Sequence, residues 1–589
     1  MSPEREDKDM DRWNLTNLYQ SFADDAFAAD QAGVSALNDK MNALCERHDA
    51  GALREYLALA SEQAALLERL SCFTLFSMSA DTDDEDAAKA YDTLNNLEAS
   101  LAADNARQEK WIASFDLDAI DDARVKAHMF ILKEIQARQA HALSEQEESL
   151  LSHMKTTGAY AWAAYKDKVV SDIKVSVNGK EDPLTDTLNM AYDPDADVRK
   201  AAYEAEVKVY EGAPENAIAA ALSAIKGTSL YEAKLRGYDS VLSRTLENSR
   251  LSQNTLDALL DVMKENMDMF REYYRLKAEV LGHENGLPWY DLYAPVTDNT
   301  QSYTYDDACT FVVRHFTDFS AHLGQFARRA IDEHWIDIYP RAGKVGGAFC
   351  ENIMSLGESR FLLNFGGHFS DLVTMAHELG HGFHGECLKD EPILNTRYPM
   401  PIAETASTLC ETIVTQAALK EATGDDALAI LDNAMSDAAQ VIVDIYSRYL
   451  FETALFDKRE KGGVSAAECC EMMLQAQKDA YGDGLDPDVL HPYMWTWKPH
   501  YYDVDEAFYN FPYAFGLLLS KGLYARCLED PEGFPEAYET FLAKTGAMSL
   551  EDVAKTMDID LTDRAFWRQG MDIVRQDWLR LKELLEAKR

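Results

Sequence analysis

The sequence predicts a mainly α chain, and three observations carry that expectation. Apolar residues recur at spacings of three and four over most of its 589 residues, as in Leu53, Leu57, Ala60, Ala64 and Leu67, or Ala87, Tyr91, Leu94 and Leu101. Alternating, strand-like stretches are few. Hydrophobic residues make up 47 % of the chain, enough for two or more domains' worth of buried core.

Taken in order, residues 13–170 read as one helix after another, with the acidic run Asp81–Asp86 separating two of them. Ile173, Val175 and Val177 alternate with Lys174 and Ser176 and run into Asn178-Gly179, the signal of a short hairpin. Asp193-Pro194-Asp195 opens a further helix that ends near Gly212 and Pro214. A boundary is expected in this neighbourhood, dividing an amino-terminal helical domain, 1–205, from a catalytic domain, 206–589. Long helices follow, one of them spanning Asn254–Val280. Gly343-Lys344-Val345-Gly346-Gly347 lacks the order of a phosphate loop and reads as a flexible turn. Phe361–Phe365 reads as a strand stopped by Gly366-Gly367. Its edge is expected to accept an extended peptide.

The chemistry is concentrated in His377-Glu378-Leu379-Gly380-His381, within a helix expected over Ser370–Leu388. Histidines at i and i+4 stand one above the other on one helical face, so two imidazole nitrogens can hold one ion. Glu378 can then point at a water on that ion. This is the zinc-peptidase pattern, with the glutamate as general base.

A catalytic zinc site wants three protein ligands and one open position. The downstream candidates are His384, Glu386, Glu391, Glu404 and Glu411. The metzincin pattern fails, because its glycine and third histidine are replaced by His384 and Cys387. His384 lies on the motif helix itself, and a third ligand from the same straight helix would hardly close a tetrahedron. Glu404 stands on a separate helix, which Pro401 opens and which runs to about Ala422, free to cross the first. It is the favoured ligand. Glu411 shares its face and is expected to orient a ligating histidine.

At this point the chain resembles the thimet oligopeptidase-like metallopeptidases, specifically their oligoendopeptidase F branch. The resemblance rests on Trp13-Asn14-Leu15, Asn364-Phe365, His377–His384, Glu404-Thr405-Ala406-Ser407-Thr408 and the stretch from His500 to Gly516. It implies a two-lobed, zincin-type helical fold with a deep channel and a small β-sheet near the metal. It also implies one zinc ion held by His377, His381 and Glu404, and cleavage of oligopeptides but not of folded proteins. A histidine and tyrosines stabilise the oxyanion in such enzymes, and His500 and Tyr509 match them best. Phe511 stands where many relatives carry a further tyrosine, and Tyr502 and Tyr513 are the alternatives. Asn364, Phe365, Tyr502 and Tyr513 are the expected substrate contacts. Two rival readings are an exopeptidase using the same channel and a non-catalytic peptide-binding protein with a structural metal.

The formal net charge of −45 argues against nucleic acid and anionic lipid as partners. The first thirteen residues lack the apolar segment of a signal peptide, and no run approaches the ~20 apolar residues of a membrane helix. Nine cysteines without a C-x-x-C pair are expected to be free thiols of a cytoplasmic protein, taken to be a monomer.

Overall fold

A computed structural model describes residues 11–297 and 302–588. Helices dominate it, and the strands form one two-stranded and one three-stranded sheet. The chain divides into two compact units. The first comprises Met1–His141, Gln301–Ala418 and Arg526–Ile559, and the second Ala142–Thr300, Leu419–Ala525 and Asp560–Arg589. Neither unit follows the division expected at residue 205, which falls inside the helix Ala196–Tyr210.

The reason is visible in the core of the first unit. Trp13, Phe73 and Phe76 from the amino-terminal segment share a cluster with Ile353 and Leu362 of the sheet, so the two regions bury one another. The Trp13 ring lies 5.1 Å from Phe76 and 6.2 Å from Phe349. Asn14 adds backbone bonds: its N–H donates to the His334 carbonyl at 2.8 Å, and its carbonyl accepts from Arg360 Nε at 2.8 Å. The Trp13-Asn14 signal is thus a packing signal. It ties the chain's beginning to the strands that flank the motif helix.

The three-stranded sheet corrects a second expectation. Numbering strands along the chain, β1 (Lys174–Val177) and β2 (Lys180–Pro183) form the hairpin of the second unit, turning through Asn178 and Gly179 at positive φ. In the first unit β3 is Ile336–Asp337, β4 is Phe349–Ile353 and β5 is Glu358–Leu362. Their order is β3-β5-β4, with β5 parallel to β3 and antiparallel to β4. The stretch expected to offer an edge is therefore central. Leu363 and Phe365 beyond it still donate to the carbonyls of Asp337 and Ile338. The edge strands are β3 and β4.

Two expected helices are also interrupted. The one expected over Asn254–Val280 breaks into Gln253–Glu265 and Met267–Leu281. Between them Asn266 donates its side-chain amide to the Val262 carbonyl at 2.8 Å, and a local bond of this kind competes with the helical ladder. The helix expected from Pro401 is a short turn, Met400–Ala403, then Thr405–Glu421, and Glu404 stands at the break with φ −84° and ψ 2°. The motif helix itself runs Phe369–Leu388. All nine cysteines are free. Among the described residues no helix is long and apolar enough to cross a membrane.

Candidate metal centre

The motif helix presents His377 and His381 one turn apart, and the break before Thr405–Glu421 brings Glu404 opposite them. His377 Nε2 and His381 Nε2 are 3.1 Å apart, and Glu404 Oε2 lies 3.3 Å from the first and 3.5 Å from the second. A tetrahedral zinc with bonds of ~2.0–2.1 Å requires ligand atoms about 3.3–3.4 Å from each other. The three atoms fit that edge length, and two imidazoles with one carboxylate are a donor set zinc accepts.

Around these atoms the polar groups are already oriented. His377 Nδ1 lies 2.5 Å from Glu411 Oε1, which leaves Nε2 to face Glu404. Ser407 Oγ donates to Glu404 Oε2 at 3.0 Å and to the Glu404 carbonyl at 2.9 Å, holding the carboxylate at the helix break. Burial lowers the His377 pKa, but Glu404 and Glu411 overcome it and raise it to about 10. Burial raises Glu404, and the two histidines more than reverse it, holding the carboxyl well below its usual range. Glu378 is buried, 6 % exposed, which pushes its carboxyl up against the pull of His377 and His381. Three carboxylates against two imidazoles make this a cluster that wants a cation.

Two contacts that sequence reasoning missed fix the helix positions. A Cβ on Gly380 would stand 2.7 Å from the Ala406 carbonyl oxygen and 2.7 Å from Ser407 Cα, so only glycine lets the two ligand-bearing helices touch here. From the other side, Asn352 of β4 donates its side-chain amide to the His381 carbonyl at 3.2 Å, and Gly385 leaves room for that side chain. The glycine inside the motif was the available signal, since it sits where a helix ordinarily prefers alanine.

The other candidate ligands are held elsewhere. His384 is fully buried, its ring stacked on Tyr398 at 4.0 Å and its Nε2 2.7 Å from Thr545 Oγ1. Glu386 pairs with Lys389, His322 and Arg329, and Glu391 with Lys544. Asn364 donates to the carbonyls of Val345 and Gly347, so its amide nitrogen clamps the glycine-rich turn. Phe365 is buried edge-on against Tyr305.

In the second unit His500 Nε2 lies 3.2 Å from Tyr513 Oη, with the Tyr509 ring 5.2 Å away. Burial, then the neighbouring Arg448 and Lys498, hold His500 down at about 4, so it is uncharged at neutral pH. Tyr502 does not suit the substrate contact expected of it. It is buried, and its hydroxyl donates to the Trp495 carbonyl at 2.8 Å.

The metal centre opens into a cavity of about 1160 Å³ within the first unit. Its wall includes β4 residues Phe349–Asn352, the helices Ala50–Ala80 and Glu85–Ala113, and the loop through Arg397. The edge strand and the general-base candidate Glu378 therefore face the same space.

Replacing Gly380 by alanine is expected to push the two helices apart and weaken zinc retention by at least about tenfold, the scale of losing an orienting contact. Competition with a chromophoric chelator, alongside circular dichroism to show retained helix, reads this. Unchanged affinity would mean the contact is slack.

A second expectation concerns acid. Burial, with His381 nearby, lowers the His384 pKa from 6.5 to about 3. Below pH 6.5 the unfolded chain takes a proton that the folded chain refuses, so stability falls as pH falls toward 3. The contribution has a slope of up to ~1.4 kcal/mol per pH unit. His384→Gln should flatten denaturant stability against pH over this window by that share, and an unaltered slope would place the acid sensitivity elsewhere.

Residues 189–573 match the model of Peptidase family M3, and residues 102–174 match that of Oligopeptidase F. Among curated proteins, Oligopeptidase PepF of Bacillus subtilis is 24 % identical over 583 residues, covering 95 % of this chain and 85 % of its own. An oligoendopeptidase F homolog of Borreliella burgdorferi is 24 % identical over 541 residues, 88 % of each chain. A solved structure from Chlamydophila abortus superposes with a TM-score of 0.86 at 20 % identity, covering 98 % of both chains. Oligoendopeptidase-F from Enterococcus faecium gives 0.69 at 19 % identity, over 95 % of this chain and 99 % of that one. The breadth of the family match settles the membership: the chain belongs to peptidase family M3.

Proposed function

We propose that the chain is a zinc-dependent endopeptidase that hydrolyses internal bonds of short, unstructured oligopeptides. The observation that carries this reading is the juxtaposition of the His377, His381 and Glu404 ligand atoms with the buried carboxylate of Glu378, at the wall of a cavity bounded by an edge strand. One zinc ion held by those three residues would supply Lewis-acid activation of water and of the scissile carbonyl.

The chain's own groups do the rest. Glu378 takes a proton from the attacking water as its oxygen bonds to the peptide carbonyl carbon. It returns that proton to the amide nitrogen as the carbon–nitrogen bond breaks. Glu411 keeps His377 in the tautomer that leaves Nε2 free. An extended peptide adding to β4 gains backbone hydrogen bonds whatever its side chains, which suits an enzyme of broad oligopeptide range. The resemblance supports His500 and Tyr509 as donors to the developing oxyanion. A structural metal would need no buried carboxylate beside it, so the non-catalytic reading is disfavoured.

Free cysteines throughout the chain support a reducing compartment, and we place the enzyme in the cytoplasm as a monomer.

Glu378→Gln should lower kcat by roughly 10²–10⁴-fold while metal content stays, because a base is lost and no ligand is touched. Glu404→Ala should instead release the metal. Equal metal content in the two variants would undo this division of roles. The function itself is tested by incubating the protein with a stable folded domain and with peptides of about ten residues drawn from it, with and without chelator. Internal cleavage of the peptides alone, abolished by chelation, is expected. Cleavage of the intact domain, or activity that survives chelation, would overturn the proposal.

A further inference from the structure

The cavity beside the metal centre is lined by five carboxylates, Glu68, Glu98, Glu351, Glu378 and Glu404, and among its lining residues Arg397 is the one lysine or arginine. Despite that company, Arg397 makes none of the ion pairs or side-chain hydrogen bonds found among the described residues. Its guanidinium lies beyond ion-pair distance of every carboxylate in the wall and is exposed. The loop that carries it is fixed on both sides. On one side Tyr398 is stacked on the buried ring of His384 at 4.0 Å. On the other, Asn395 is buried and donates to the Ala127 carbonyl at 2.8 Å, while Thr396 Oγ1 donates to the Ile393 carbonyl at 2.8 Å. Arg397 thus projects from a loop anchored at both flanks, exposed within the cavity.

The carboxylates differ in availability. Glu68 accepts the backbone N–H groups of Met354 and Ser355 at 2.9 and 2.8 Å. Glu351, on the edge strand, makes no such bond, and enclosure by the surrounding cavity walls, with Glu68 beside it, pushes it up to about 7. Such a wall repels an anionic group everywhere except at Arg397. A peptide carries an ammonium at one end and a carboxylate at the other, and this distribution of charge sorts them.

We propose that Arg397 binds the C-terminal carboxylate of the peptide substrate and so sets the direction and reach of the chain across the metal centre. The inference rests on the peptidase reading. The ligand chemistry is a carboxylate, which a guanidinium fork matches in a bidentate pair. A side-chain carboxylate has the same chemistry, but the C-terminus is the one every oligopeptide possesses. The consequence is selection for length. A peptide gains from Arg397 only when its C-terminus lies within reach of the bond being cut, and a long chain gains nothing.

The test uses the full chain in the Glu378→Gln background, where peptide binds without being consumed. The probe is a pool of octapeptides with neutral side chains, prepared as free acids and as C-terminal amides. With Arg397 present, the acids should bind roughly tenfold or more tightly than the amides, the scale of a charge-assisted pair. Arg397→Met should bring that ratio close to one, and Arg397→Lys should keep part of it. Equal binding of acid and amide with Arg397 in place overturns the proposal. So does an amidated pool carrying one aspartate that recovers Arg397-dependent affinity as fully as the acids, since the side chain would then be the ligand. Cleavage of the free acids by the unsubstituted protein is scored separately: its absence would fell the peptidase reading, while the acid-to-amide ratio alone decides Arg397.

Discussion

Everything at the metal centre depends on a single backbone contact, the approach of the motif helix to the Thr405–Glu421 helix at Gly380. The three candidate ligand atoms are spaced 3.1 to 3.5 Å apart, and two of them come from the motif helix and the third from the break that precedes Thr405–Glu421. Such spacing is set by where the helix axes run and cannot be recovered by side-chain rotation alone. A methyl group at Gly380 would meet backbone atoms at 2.7 Å, and backbone cannot swing aside as a flexible side chain can. Asn352 completes the clamp by tying the His381 carbonyl to β4. The edge strand and the ligands are therefore positioned by the same set of bonds. Under the proposed function, a peptide aligned on β4 would be aligned on the metal.

The electrostatics follow from that geometry. Glu404, Glu411 and Glu378 crowd two imidazoles, and the wall beyond them adds Glu68, Glu98 and Glu351. A site this acidic favours a divalent cation and the ammonium end of a peptide, and it disfavours anions. His384 shows how finely burial separates neighbouring residues of one type. It lies one turn from His381, yet full burial, with His381 nearby, keeps it neutral, and the stack on Tyr398 and the contact with Thr545 hold it in the packing. Two histidines a turn apart thus have opposite tasks, decided by what surrounds them and not by the motif.

Much of the site was legible in the sequence because its parts are local. The i and i+4 spacing of His377 and His381 is a property of any helix, and Asn178-Gly179 encodes its own turn. Glu404 could be reached because a second helix was evident and the first could not close a tetrahedron alone. What escaped was set by distant partners. Phe361–Phe365 reads as a strand, but nothing in those five residues says that a strand will pair on both sides of it, so the open edge was assigned to the wrong strand. The break at Asn266 depends on a single side-chain bond to a carbonyl four residues back. Tyr502 looked like its neighbours in an aromatic stretch, and only packing shows that its hydroxyl already has a partner in Trp495.

The two compact units cut across the division expected at residue 205, and the packing gives the reason. The amino-terminal helices carry no catalytic motif, so sequence alone sets them apart. Yet Trp13, Phe73 and Phe76 share a core with Ile353 and Leu362, and residues such as Glu68 and Glu98 reach the cavity wall. The region without a catalytic motif forms part of the wall of the cavity beside the candidate metal centre. The candidate metal ligands, by contrast, are confined to the motif helix and the turn before Thr405–Glu421, which meet at Gly380. The recognition proposed for the cavity is distributed over helices and a loop that lie apart from that contact. Glu98 and Arg397 stand on elements that supply no proposed metal ligand. Substitution there can alter which peptides are accepted while the spacing of His377, His381 and Glu404 stays as it is.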